Sequence, residues 1–92
     1  MTVYNVYILY SEKSDIYYVG HTENVSKRLL EHNDLLSKSF TSKHQPWILK
    51  SSFVTGNDRG TAMKIERFIK NQKSKKFIEK VINDPMDIDF IT

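Results

Sequence analysis

Val3-Tyr4-Asn5-Val6-Tyr7-Ile8-Leu9-Tyr10, then Ser11-Glu12-Lys13-Ser14, then Asp15-Ile16-Tyr17-Tyr18-Val19-Gly20: the reading of the fold turns on this stretch. Its two flanks are dense in β-branched and aromatic residues, which suit a half-buried pleated surface, and its centre is polar and turn-like. A hairpin is the expectation. With Ser11 to Ser14 as the loop, Tyr10 faces Asp15, Leu9 faces Ile16, Tyr7 faces Tyr18, and Asn5 faces Gly20. Opposed residues share a face, with Cβ atoms about 4.5–5.5 Å apart. Tyr7 and Tyr18 are then neighbours, and alternation puts Tyr4 and Tyr10 on the other face. Gly20 leaves the open end of the hairpin uncluttered and lets backbone approach closely.

Working outward, Asn24 is placed to cap a helix running to about Leu36, with Val25, Leu29 and Leu36 inward. Ser37 to Gln45 reads as a loop, and Pro46 introduces a third strand, Trp47 to Val54. Trp47 is expected in the core. Gly56-Asn57-Asp58 forms a turn and a cap for a second helix, on which Ala62, Ile65, Phe68 and Ile69 repeat at helical spacing. Ser74 caps a third helix carrying Phe77, Ile78, Val81 and Ile82 inward, and Asn83-Asp84-Pro85 stops it. The order ββαβαα implies an α/β chain of the α+β kind, a three-stranded, mostly antiparallel sheet flanked by helices. Residues 1–85 are expected to form one domain. Residues 86–92 are expected to be an acidic and apolar tail, either an edge strand or loose.

At 92 residues with 39% hydrophobic and 27% charged side chains, the composition is that of an ordinary globular chain and excludes a disordered or fibrous one. Apolar runs are too short to cross a membrane, and the N-terminus lacks the layout of a signal peptide. With no Cys there is no disulfide and no thiolate metal site. The expected setting is cytoplasmic, with no membrane partner. Net charge is +3, unevenly spread: residues 51–83 carry eight Lys/Arg against three Asp/Glu, a balance of +5. A basic half suits a polyanion, although a solvated helical face has the same composition.

Val6-Tyr7, ten intervening residues, Tyr18-Val19-Gly20, Thr22-Glu23-Asn24 and the helix residues Arg28 and His32 resemble the GIY-YIG nuclease family. Glu66, preceded by Ala62 and followed by Ile69-Lys70 and the Lys73-to-Lys76 run, is similar to that family's later helix. The resemblance spans nearly all of residues 3–82 and is nearest to small stand-alone members related to the catalytic domain of the excinuclease incision subunit. Two departures stand out. The first triplet reads Asn5-Val6-Tyr7 without its Gly, and neither Asn71 nor Asn83 is a convincing match for a downstream Asn that larger members use.

The resemblance implies a metal-dependent DNA endonuclease or nicking domain of low sequence specificity, with DNA repair as the associated process. The substrate is DNA, in which branched or damaged forms are included, and the oligomeric state is left open. Glu66 is implied as the metal holder, Arg28 as the phosphate grip, Tyr7 as the base and Tyr18 as the group that positions water or phosphate. Phosphodiester hydrolysis needs an activated water and neutralised phosphate oxygens. No two acidic residues are close enough in sequence to suggest a two-metal site, so one carboxylate with a hard cation remains. Mg2+ fits, because it keeps most of its waters, and Mn2+ is the natural substitute.

On a wheel of about 100° per residue Glu66 lies about 40° from Ala62, at the border of the apolar stripe. An i,i+4 pair with Lys70 would also account for it there. Arg28 and His32 share one helix face, and Arg presents a fork that grips two oxygens where Lys cannot. His32 is read equally as a proton carrier or a structural His. A phenol needs neighbouring cations to act as a base near neutral pH, and Arg28, Lys70 and the metal are at hand. Lys38, Lys43, Lys70, Lys73, Lys75 and Lys76 are the expected DNA-binding lysines. The loop bearing Lys38, Phe40 and Lys43 either tracks a phosphate backbone or is simply solvated. His21 and His44 read as isolated surface residues. The competing functions are a non-catalytic DNA-binding module on the same fold and a protein whose basic helices meet an acidic partner.

Overall fold

The computed structural model describes residues 2–36 and 38–84. Its elements are β1 (Tyr4–Ser11), β2 (Ile16–Thr22), α1 (Val25–His32), a 3₁₀ turn (Phe40–His44), β3 (Trp47–Gly56), α2 (Arg59–Asn71) and α3 (Lys75–Asn83). The three strands form one antiparallel sheet in the order β2-β1-β3. The expected ββαβαα arrangement is therefore present, and the expected tail at 86–92 lies outside the described residues.

Val6, Tyr7, Ile8 and Leu9 are all buried. A central strand covered on both faces shows an unbroken apolar run where a half-exposed strand would alternate. Val6 and Ile8 face Val19 of β2, Ile65 and Ile69 of α2 and Val81 of α3. Tyr7 and Leu9 face the other way, with Trp47, Tyr18 and the α1 residues Val25 and Leu29. α1 thus packs on one face of the sheet, and α2 with α3 on the other. Burying four large side chains on one strand stabilises the fold by several kcal/mol, at about 25 cal/mol per Å2 of apolar surface.

The three caps are where the sequence placed them. Asn24 accepts from the Lys27 amide, Asp58 from Gly60 and Thr61, and Ser74 from Phe77. Each supplies an acceptor to amides that have no intrahelical partner.

Two expectations are corrected. The hairpin register is Tyr7 to Gly20, Leu9 to Tyr18 and Tyr10 to Tyr17, so the loop is Glu12 to Asp15 and not Ser11 to Ser14. Ser11 remains in the strand because its buried hydroxyl donates to the His44 carbonyl at 2.6 Å and accepts from the Ser14 amide at 3.2 Å. Asp15 takes a positive φ of 53° to close the turn. The second correction is the end of α1, which stops at His32 and not near Leu36. Asn33 accepts from the Trp47 amide at 2.6 Å and donates to its carbonyl at 3.0 Å, so it is committed to β3. Gln45 donates to the His32 and Asp34 carbonyls, both at 2.8 Å. Leu36 is 88% exposed and is not an inward residue.

Candidate active site

Tyr7 is held in β1 with its ring across the backbone of β2. A Cβ built on Gly20 would lie 2.5 Å from the Tyr7 hydroxyl and 2.7 Å from the ring carbon that carries it. Gly20 is therefore the gap through which the phenol reaches the outer edge of the sheet. This is a sharper reason for Gly there than the open hairpin end expected from sequence. The register shift by two residues leaves Tyr7 and Tyr18 on one face, as diagonal neighbours with ring centroids 6.2 Å apart.

Helix α1 supplies His32 and Arg28 from above that face. Buried His32 bonds the Tyr7 hydroxyl through Nε2 at 2.9 Å and Thr41 Oγ1 through Nδ1 at 3.1 Å. Thr41 is fixed in turn by Ser39 Oγ at 3.0 Å and by the Trp47 indole N–H, which donates to its carbonyl at 2.8 Å. Burial, reinforced by Arg28, holds the His32 pKa below its usual value, so the imidazole is neutral at pH 7. Burial also pushes Tyr7 up to about 12, against the opposing pull of the Arg28 guanidinium. Tyr7 is a phenol at neutral pH, so the expectation that cations bring it toward neutrality is not met by the protein alone. Arg28 pairs with Glu31 at 2.8 Å.

From the opposite face, α2 brings Glu66 and Lys70 to the same sheet edge. Lys70 forms the expected i,i+4 pair with Glu66 at 3.1 Å, and its Nζ lies 5.5 Å from the centre of the Tyr18 ring. Glu66 is 18% exposed, at the border position that the helical wheel requires. Its other oxygen lies 2.8 Å from His21 Nδ1. Sequence reasoning missed this role for His21. The available signal was alternation: His21 follows Gly20 and points to the opposite face, toward α2. Thr41 was missed as well, since nothing local marks a loop threonine as the partner of His32.

Tyr7, Tyr18, Arg28, His32, Glu66 and Lys70 thus meet around β2. The other expected DNA-binding residues do not join them. Lys75 pairs with Asp15 at the hairpin tip at 2.7 Å, and Lys38, Lys43, Lys73 and Lys76 are exposed on loops or on α3. His44 is not isolated: its Nδ1 lies 2.7 Å from Ser14 Oγ. Asn71 borders a cavity with Met63 and Phe68, and Asn83 one with Tyr17 and Lys50, so neither lines the cavities beside Arg28.

Two cavities flank Arg28. One of about 440 Å3 is lined by Lys27, Arg28, Arg59, His21, Tyr4 and neighbouring polar groups. The other, of about 330 Å3, is lined by Tyr18, Arg28, His32, Thr41, Phe40 and two further residues. The first has three cations against the carboxylates Glu23 and Glu31, and the second opens on His32, the hydrogen-bond partner of buried Tyr7.

Among the described residues no cluster of three or more His, Asp or Glu is arranged to hold a metal ion. A closed, zinc-like cage is not what these donors make. A single half-buried carboxylate at a polar rim does suit a cation that keeps most of its own waters. The description of the family whose model matches residues 3–80 is GIY-YIG catalytic domain. No curated protein matches the chain. Domains of that description are typically endonucleases that act on DNA and generally use divalent metal ions.

Proposed function

The chain belongs to the GIY-YIG catalytic-domain family, and from that premise we propose that it is a metal-dependent DNA endonuclease of low sequence specificity. One observation carries the reading: the Tyr7 hydroxyl, Arg28 and His32 reach the same sheet edge from one face that Glu66 and Lys70 reach from the other.

The residues have complementary tasks. Arg28 grips the scissile phosphate with its guanidinium fork, releasing Glu31 as it does so. Tyr7 donates its hydroxyl proton to His32 Nε2, in the tautomer whose Nδ1–H donates to Thr41, and so becomes able to accept a proton from the attacking water. Neutral His32 has its Nε2 lone pair open at pH 7, but with the phenol raised and the imidazole lowered the proton rests on Tyr7. It moves only as water attacks and a second proton arrives at the phenol oxygen. Tyr18 borders the same space and orients water or phosphate. Glu66, braced by His21 and Lys70, is the residue that would hold Mg2+ or Mn2+. When bound, such an ion neutralises charge on the phosphate oxygens and makes water more acidic.

The alternative, DNA binding without turnover, draws support from two features. Both Glu66 oxygens have protein partners, and Tyr7 is raised to about 12. Incubation with supercoiled plasmid and with branched DNA, with and without Mg2+, separates the readings. Mg2+-dependent nicking that disappears in chelator and in Glu66→Ala supports the endonuclease. DNA retention without nicking supports the alternative.

A further inference from the structure

Phe40 begins the 3₁₀ turn between α1 and β3 and is 63% exposed. Single exposed apolar side chains are common and need no explanation. Phe40 differs in its position. It rims the 330 Å3 cavity, whose other walls include Tyr18, Arg28 and the buried pair His32 and Thr41. Its ring is braced by the His44 imidazole, with centroids 4.9 Å apart. On the same connection, Leu35 and Leu36 are 87% and 88% exposed, and Lys38 and Lys43 are exposed beside them.

The two cavities that share Arg28 have different chemistry. The larger sets three cationic side chains, Lys27, Arg28 and Arg59, against two carboxylates, Glu23 and Glu31, a net positive lining that suits phosphates. The smaller has the aromatic faces of Tyr18 and Phe40 beside the Arg28 guanidinium, which is paired with Glu31, and so suits a base next to a phosphate that displaces the carboxylate. In B-form duplex the base faces are occupied by their neighbours, so an exposed phenyl ring beside the phosphate grip finds a stacking partner only where a base is unpaired or flipped. Leucines on the same connection are of the kind that wedge against an opened base step.

We propose that the connection between α1 and β3 receives an unpaired nucleotide next to the scissile phosphate, with Phe40 as its stacking surface. The preferred substrate is then DNA with a single-stranded segment at the cleavage point, such as an overhang, flap or bubble. The assignment of a scissile phosphate rests on the endonuclease reading. The stacking itself does not.

The test is binding in excess chelator, with the whole chain and three probes of equal length: single-stranded DNA, a duplex with a short single-stranded overhang, and a blunt duplex. Stacking on an aromatic ring contributes about 1–3 kcal/mol per base, so Phe40→Ala should weaken binding to the first two probes about 5- to 150-fold. Phe40→Leu, which keeps apolar bulk but loses the ring face, should behave like Ala, and Phe40→Trp should retain affinity. Blunt-duplex binding should change less than about two-fold. An exposed position should leave the thermal midpoint unmoved, which separates lost stacking from misfolding. Equal losses on all three probes, or none on any, would overturn the proposal. Cleavage of each probe with Mg2+ is scored separately. Discrimination without cleavage defeats the endonuclease reading and leaves this one standing, whereas equal cleavage of overhang and blunt duplex with a silent Phe40 does the reverse.

Discussion

Gly20 is the position where one missing side chain decides the most. The Tyr7 hydroxyl lies where a Cβ on residue 20 would be, and the buried ring has little room to retreat. Gly20→Ala should therefore break the Tyr7–His32 bond and cost about 1–3 kcal/mol through overpacking. Nuclease turnover should fall at least as far as in Tyr7→Phe, which removes only the hydroxyl. Loss of general-base help is commonly about 10²–10⁴-fold, and Tyr10→Phe, at the hairpin tip where it bonds Asp15, should stay near wild type. Equal behaviour of Tyr7→Phe and Tyr10→Phe in a plasmid-nicking assay would leave the tyrosine pair purely structural. Arg28→Lys should lose about 10²-fold in turnover with little change in DNA affinity, because a point charge cannot replace the fork. These residues were legible as types at a spacing, but the reason for Gly20 was not. Its steric role depends on a register that polar loop residues cannot specify: the buried Ser11 hydroxyl, bonded to His44 across the fold, sets it.

At the scale of elements, the functional side chains come from β1, β2 and two helices on opposite faces of the sheet. His32 is held by bonds to β1 and to the 3₁₀ turn and Glu66 by His21 of β2, while Arg28 and Lys70 pair within their own helices. The caps at Asn24, Asp58 and Ser74 are local chemistry, so they could be read from the chain. The end of α1 could not, because Asn33 and Gln45 terminate it through contacts with residues 14 and 13 positions away. For the same reason His21 looked isolated: its partner Glu66 is 45 residues downstream. That pairing makes a prediction about α2. Glu66→Gln keeps the shape of the side chain but loses the negative charge between His21 and Lys70. Cleavage should be abolished, while the thermal midpoint moves by only a few degrees, since half-buried polar substitutions of this kind cost about 1 kcal/mol. His21→Ala should reduce activity less, by loosening the carboxylate without removing it. A Glu66→Gln protein that nicks plasmid at the wild-type rate would remove the one-carboxylate mechanism.

For the whole molecule, the site is a bundle of groups whose titration is altered by folding, and this ties stability to the pH range over which the chemistry can run. His32 is buried between Tyr7 and Thr41, and its folded pKa is lowered. The unfolded chain, with His near 6.5, therefore takes up a proton more readily than the folded one. Stability is full above that value and declines as pH falls below about 6.5. Tyr7 works in the other direction. Its folded pKa is raised from 10.0 to about 12, so its contribution is complete below pH 10 and is lost as pH rises through the interval to 12. Two units correspond to an energy on the order of 2–3 kcal/mol. The bonded pair should thus bound a stability plateau on both sides. Tyr10, raised to about 12 by its bond to Asp15, adds to the alkaline limb and needs its own control. Thermal midpoints recorded from pH 5 to 11 should therefore show an acid limb that flattens in His32→Gln. The alkaline limb should flatten in Tyr7→Phe by more than in Tyr10→Phe, because the exposed Tyr10 is screened by water. Nicking rates should be flat with pH across the plateau, because passing a proton from Tyr7 to His32 leaves the net protonation of the pair unchanged, whereas a rate that climbs would mean that Tyr7 loses its proton to solvent instead. A His32→Gln protein with an unchanged acid limb would show that the imidazole is not the group that folding holds neutral, and the proton route from Tyr7 would lose its receiver.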